Sequence, residues 1–81
     1  MSLDTDKIET ILRKHWDVPA NFSPATFHDL AFRLQVLVGQ KYSHDNLKYQ
    51  LSIMQTKDLK QTYDEPACEK IAAELLKAKP A

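Results

Sequence analysis

Residues 32–54 read FRLQVLVGQKYSHDNLKYQLSIM, and the way this stretch divides decides the fold. Phe32 to Val38 continues an apolar helical pattern, Gly39 to Tyr42 interrupts it, and Ser43 opens a second helical run. Such a joint either folds a small bundle or presents a recognition helix to DNA.

The helix on the amino side of the joint is announced by NFSPATF, residues 21–27. Ser23 is a cap candidate, and Pro24 takes the first helical position, where no amide bond is required. Phe22 and Phe27 have the spacing of a hydrophobic staple. This register gathers Phe27, Leu30, Ala31, Leu34, Leu37 and Val38 on one broad face, with Asp29 and Arg33 as an i,i+4 pair beside it. At about 100° per residue, Phe32 and Val36 fall some 140° to 180° away from Phe27, with His28 and Gln35 on the polar strip between. Either the helix touches neighbours on both sides, or these two residues form an exposed docking patch. The β-branched and aromatic residues of FRLQVLVG also admit a strand, but the flanking periodicity and the Ser23 cap favour a helix.

Gly39 is the only glycine in the chain. It is expected to end the helix in left-handed geometry or to allow close packing against a neighbour. Ser43 then caps the third helix, with Tyr42 and Leu47 as its staple and Asp45 in its first turn. The third helix is predicted from His44 to about Gln55, with Leu47, Leu51 and Met54 inward and Tyr49 and Ile53 on a smaller second stripe. Residues 56–63 read as a loop, a frayed continuation or a short helical turn, pinned to the core by Leu59 and Tyr63.

Outward from this centre, Ile8, Ile11, Leu12 and His15 recur at helical spacing. They define a first helix from about Asp4 to His15, capped by Asp4 and stapled by Leu3 and Ile8, with Asp17 and Pro19 ending it in an ordered turn. A last helix begins near YDEPACEK, with Asp64 as cap and Pro66 in its first turn. Its apolar face is Cys68, Ile71, Ala72 and Leu75, edged by Leu76; Lys77 and Lys79 suit its carboxyl end, and Pro80 stops it. Four amphipathic segments and short joints predict an all-α fold, a compact and mostly antiparallel bundle of four short helices in one domain spanning residues 1–81.

Composition sets the bounds on function. A chain of 81 residues with 43% hydrophobic residues folds, but a domain of this size buries only about 60 to 65% of its unfolded surface, so its core is thin. Eleven basic residues balance eleven acidic ones, leaving no overall field to draw the chain to nucleic acid or an anionic membrane. One cysteine, Cys68, excludes an internal disulfide and fits a reducing compartment. The opening MSLDTDKIET has no apolar run after a basic start, and no unbroken apolar run is longer than VLV, so neither a cleaved signal nor a membrane span is expected. A cytoplasmic location is the resulting expectation.

The chemical motifs are sparse. His15, His28 and His44 stand apart in sequence, without the close spacings that announce a metal site. Cys68 falls on a core face among acidic neighbours, which suits a small buried thiol better than a nucleophile. No carboxylate pair is distinguishable from helix-start chemistry, and no glycine-rich phosphate loop occurs. An acyl-carrier role would need a serine between an aspartate and a leucine, whereas HDLAF joins Asp29 directly to Leu30. No enzyme activity, metal or cofactor is expected.

The leading expectation is a non-catalytic adaptor, regulatory, inhibitor or immunity-type protein that binds another protein or a second copy of itself. Its expected contact surface is Phe32, Val36, Tyr49 and Ile53, with Arg33 and Gln35 as a directional rim. The alternative is a helix-turn-helix regulator that reads DNA with His44, Asn46, Lys48 and Gln50 and holds phosphates with Lys41, Lys57 and Lys60. Charge disfavours it: Asp45 opens the reading helix, only Lys48 lies within it, and no arginine follows Arg33.

Overall fold

Local capping explains where each helix begins. In the computed structural model, which describes residues 4–78, Asp4 accepts the Lys7 amide at 2.8 Å and opens α1, Thr5–His15. Ser23 accepts the Thr26 amide at 3.3 Å before α2, Pro24–Gly39, and Ser43 accepts the Asn46 amide at 3.2 Å before α3, His44–Ile53. Asp64 accepts the Ala67 amide at 3.2 Å at the head of α4, Glu65–Ala78. Each oxygen satisfies an amide that the helix cannot satisfy itself. Leu3, Lys79 and Pro80, expected to staple α1 and finish α4, lie outside the described residues.

The apolar faces meet as an all-α bundle of four helices, with no strand among the described residues. Ile8, Leu12, Phe27, Leu30, Ala31, Leu34, Leu47, Leu51, Cys68, Ile71, Ala72 and Leu75 are fully enclosed, and Ile11, Phe22, Leu37, Tyr42 and Leu76 pack around them half-buried. Phe22 meets Phe27 edge-on at 6.3 Å, and the Arg13 guanidinium lies 4.4 Å above the Phe27 ring, so the staple is an aromatic contact with a cation over it. Trp16, which the periodicity left without a role, is buried at the end of α1. α1 bridges α2 and α4, α3 packs chiefly on α4, and α2 meets α3 only slightly. The Cα radius of gyration is 11.5 Å, matching the roughly 11 to 12 Å of a close-packed chain of this length.

The joint between α2 and α3 closes by a different residue from the one expected. Gly39 stays inside the helix, has no positive φ, and would bring an added Cβ within 4 Å of nothing, so neither proposed reason for a glycine applies. Lys41 takes the left-handed conformation, at φ 61°. Its amide bonds to the Val38 carbonyl at 3.1 Å, and the Tyr42 amide bonds to the Leu37 carbonyl at 3.3 Å. This is a Schellman closure, with Leu37 and Tyr42 as its apolar pair. Tyr42 thus ends one helix and introduces the next.

Two further expectations are corrected. Asp29 and Arg33 are both exposed and form no ion pair among the described residues; water solvates the two charges at a surface site where pairing them gains little. The third helix does not run on to Gln55 in α form: after Ile53 the backbone widens into a π-helical turn, Met54–Asp58, in which the Leu59 amide bonds back five residues to Met54 at 3.0 Å. The extra residue per turn brings Met54, Gln55 and Leu59 all to the inside. Thr56 supports the widening by donating to the Ser52 carbonyl at 2.8 Å. Residues 59–64 are irregular. Leu59 pins them as expected, but Tyr63 remains 39% exposed and does not.

Candidate interaction surfaces

The outward side of α2 follows from its register. With the core face fixed by Phe27, Leu30, Ala31, Leu34 and Val38, the opposite side carries Phe32 and Val36, which are 54% and 41% exposed. Neither is a second core face. One flank of this pair is tied to the chain itself: His28 Nδ1 lies 3.0 Å from a Glu9 carboxylate oxygen on α1, and Gln35 is half-buried with a partner of its own. On the other flank Asp29 and Arg33 are exposed, and neither side chain makes a hydrogen bond or ion pair among the described residues. The Phe32–Val36 strip is thus bounded by one satisfied edge and one edge of free opposite charges.

The outward side of α3 forms a second surface. Asp45, Lys48, Tyr49, Ser52 and Thr56 share it, and Tyr63 from the following segment closes it into an open groove of about 530 Å³. Tyr49 is 64% exposed. The Ser52 hydroxyl donates to the Tyr49 carbonyl at 2.6 Å, and Lys48 lies 3.8 Å from Glu65. Burial in the groove raises the pKa of the Tyr63 phenol; the Lys48 charge opposes that rise and Glu65 and Glu69 add to it. The helical spacing of the α3 residues was visible in the sequence, but the arrival of Tyr63 depends on the chain returning through the π turn.

Of the residues expected to act together, Phe32, Val36 and Arg33 lie exposed on α2, while Tyr49 lies exposed and Ile53 half-buried on α3. Those two helices barely touch. Tyr49 keeps company with Tyr63 rather than with a neighbour on α2.

The residues expected to read DNA are divided by the core stripe of their own helix. His44 and Lys48 stand on one side of Leu47 and Leu51, and Asn46 and Gln50 on the other, roughly 120° to 160° around the axis. Lys48 is committed to Glu65, and His44 lies 3.6 Å from Asp45. Lys41, Lys57 and Lys60 are exposed.

The interior holds one polar junction that sequence reasoning missed. Gln55 is buried; its Oε1 accepts the Asp64 amide at 2.9 Å and the Cys68 thiol at 3.5 Å, while its Nε2 donates to Gln61 at 3.3 Å. Gln61 in turn donates to the Asp17 carbonyl, joining the end of α1 to the approach to α4. Burial pushes the Cys68 thiol up to about 11; the nearby Trp16 indole N–H pulls the other way, Asp64 adds to the rise, and Lys48 opposes it. The Trp16 indole nitrogen is enclosed with no hydrogen-bond partner among the described residues. Such a thiol is packing, poorly suited to nucleophilic attack.

Each histidine stands beside a carboxylate: His44 beside its sequence neighbour Asp45, His15 and His28 beside carboxylates distant in sequence. His15 reaches Glu74, which Lys14 also contacts at 3.2 Å, and the hydrogen bond from His15 leads the causes that lower the Glu74 pKa. His15–Glu74 joins α1 to α4 and His28–Glu9 joins α2 to α1, whereas His44–Asp45 lies within α3; no group of three metal-binding side chains converges among the described residues. No described helix is long and apolar enough to cross a membrane. Comparison of the chain with protein-family models, with curated proteins and with solved structures finds no match.

Proposed function

We propose that the chain is a non-catalytic adaptor, regulatory or inhibitor-type protein that binds another protein through the outward face of α2. The observation that carries this reading is the exposure of Phe32 and Val36 on the side of α2 opposite its core face. A half-exposed phenylalanine one helical turn from an exposed valine is an apolar anchor whose burial by a partner removes both from water. Arg33 and Asp29 supply an edge of charge that orients what docks there. A cytoplasmic location belongs to the same proposal.

In this reading any catalytic consequence arises in the partner, through occlusion or positioning. The test compares partner capture from the native cell, nucleic acids retained, by the wild-type chain and by F32S/V36S, with helical circular dichroism measured on both. Proteins retained by the wild type and lost by a folded F32S/V36S support the proposal. Identical retention by both chains contradicts it, as does unfolding of the variant.

A further inference from the structure

The groove on the outer side of α3 is built from one helical stripe and one returning side chain. Asp45, Tyr49, Ser52 and Thr56 follow one another at spacings of four, three and four residues, Lys48 stands beside them, and Tyr63 comes back from the irregular segment after the π turn. The two phenol rings are both exposed.

The hydrogen-bonding capacity of this lining is lopsided. The Ser52 hydroxyl directs its single proton to the Tyr49 carbonyl at 2.6 Å, and the Thr56 hydroxyl directs its own to the Ser52 carbonyl at 2.8 Å. Both oxygens can therefore only accept from a guest. The Asp45 carboxylate is 98% exposed, with His44 of its own turn 3.6 Å away. Lys48 is the one cation of the lining, and it lies 3.8 Å from Glu65. Glu65 and Glu69 both act on the Tyr63 phenol, against Lys48 alone. Asp45, Glu65 and Glu69 thus outnumber the single ammonium. Two aromatic rings, hydroxyls with no proton to give and an excess of negative charge are the features of a site for a cation.

We infer that this groove takes an arginine side chain from a partner protein. A guanidinium lies flat on a phenol ring while its in-plane N–H groups reach hydroxyl and carboxylate oxygens. A quaternary ammonium would suit the rings but would donate nothing to Ser52, Thr56 or Asp45. A lysine ammonium donates, but it is a compact and strongly hydrated charge that gains less from a ring face. An anion would find Lys48 as its only charged partner and would meet the carboxylates around it. The groove lies on α3, which barely touches α2, so this inference does not rest on the docking role proposed for Phe32 and Val36.

Titration of the full chain with Ac-Gly-Arg-Gly-amide, followed in 1H–15N spectra at constant ionic strength, tests it. Parallel titrations use the citrulline and lysine versions of the peptide, tetramethylammonium chloride and sodium phosphate. The arginine peptide is expected to shift the amide signals of Tyr49, Ser52, Thr56 and Tyr63 saturably, with a Kd on the order of 1 mM, because one side chain in an open groove engages few atoms. Citrulline, which keeps the shape and loses the charge, is expected to bind at least about tenfold more weakly. Tyr49→Leu and Asp45→Asn should each weaken the arginine peptide about threefold, with helical circular dichroism unchanged at these exposed positions. Lys48→Met removes the opposing cation, keeps the stem, and should tighten binding about twofold.

Absence of a saturable shift with the arginine peptide overturns the inference, as does equal binding of the citrulline peptide. Lysine or tetramethylammonium binding as tightly as arginine removes the guanidinium assignment. Phosphate that moves the same signals, and ceases to do so in Lys48→Met, would make the groove an anion site and overturn it too. Each of these outcomes is distinct from the partner-capture comparison of the wild type with F32S/V36S, which tests the face on α2.

Discussion

Lys41 occupies a backbone conformation that costs an L residue roughly 1 kcal/mol or more and a glycine almost nothing. It is tolerated because its amide and that of Tyr42 satisfy the Val38 and Leu37 carbonyls left free at the end of α2. Two residues away, Gly39 sits in helical geometry with open space where a side chain would be. The permissive residue and the permissive conformation are thus out of register. Lys41→Gly is expected to stabilise the fold by about 0.5 to 1 kcal/mol, seen as a rise of a few degrees in Tm for a domain of this size. A fall in Tm would mean that the Lys41 side chain contributes something the backbone geometry does not reveal. Gln55 illustrates the opposite case, a polar side chain whose burial is satisfied at every end. Gln55→Leu keeps the volume close but strands the Asp64 amide, and should cost about 1 to 3 kcal/mol in equilibrium unfolding. Faster hydrogen exchange at the Asp64 amide than in the wild type should accompany that cost.

At the scale of elements, the four helices were legible because their start signals are local. Asp4, Ser23, Ser43 and Asp64 each cap within three residues of themselves, so sequence spacing alone carries the information. The π turn was not legible, since its driving force is the enclosure of Met54, Gln55 and Leu59 against neighbours distant in sequence. For the same reason the groove was only half visible: the α3 residues follow a helical period, while Tyr63 joins them by tertiary return. The outward placement of Phe32 and Val36 was readable as geometry, yet only the packing of α1, α3 and α4 decides that both stay exposed. Between elements, α1 and α4 are joined by His15 and Lys14 to Glu74. The folded Glu74 carboxyl titrates below its ordinary 4.5, chiefly through His15 and against a smaller opposing effect of burial. A carboxylate with a lowered folded pKa stabilises the fold above its unfolded pKa, and that contribution is lost as pH falls through the folded value. The stability gap between wild type and Glu74→Gln should therefore be present above the ordinary value of 4.5 and shrink as pH falls below it, followed by thermal melts at each pH. A gap independent of pH would place the effect of the substitution in packing.

For the whole molecule the organising fact is that a thin core uses one face of α2 and leaves the other to solvent. The core face needs α1 and a slight contact with α3; the opposite face needs neither. Leu34→Ala, at a fully enclosed position, should cost about 2 to 5 kcal/mol. Phe32 and Val36 are expected to behave as surface residues in stability while governing association. Equilibrium denaturation of dilute F32S/V36S against the wild type tests that division most directly. Independence of the fold from this face predicts a change within about 1 kcal/mol and an unaltered denaturant slope. A loss of about 3 kcal/mol or more, comparable to Leu34→Ala, would make Phe32 and Val36 part of the core and contradict the docking face.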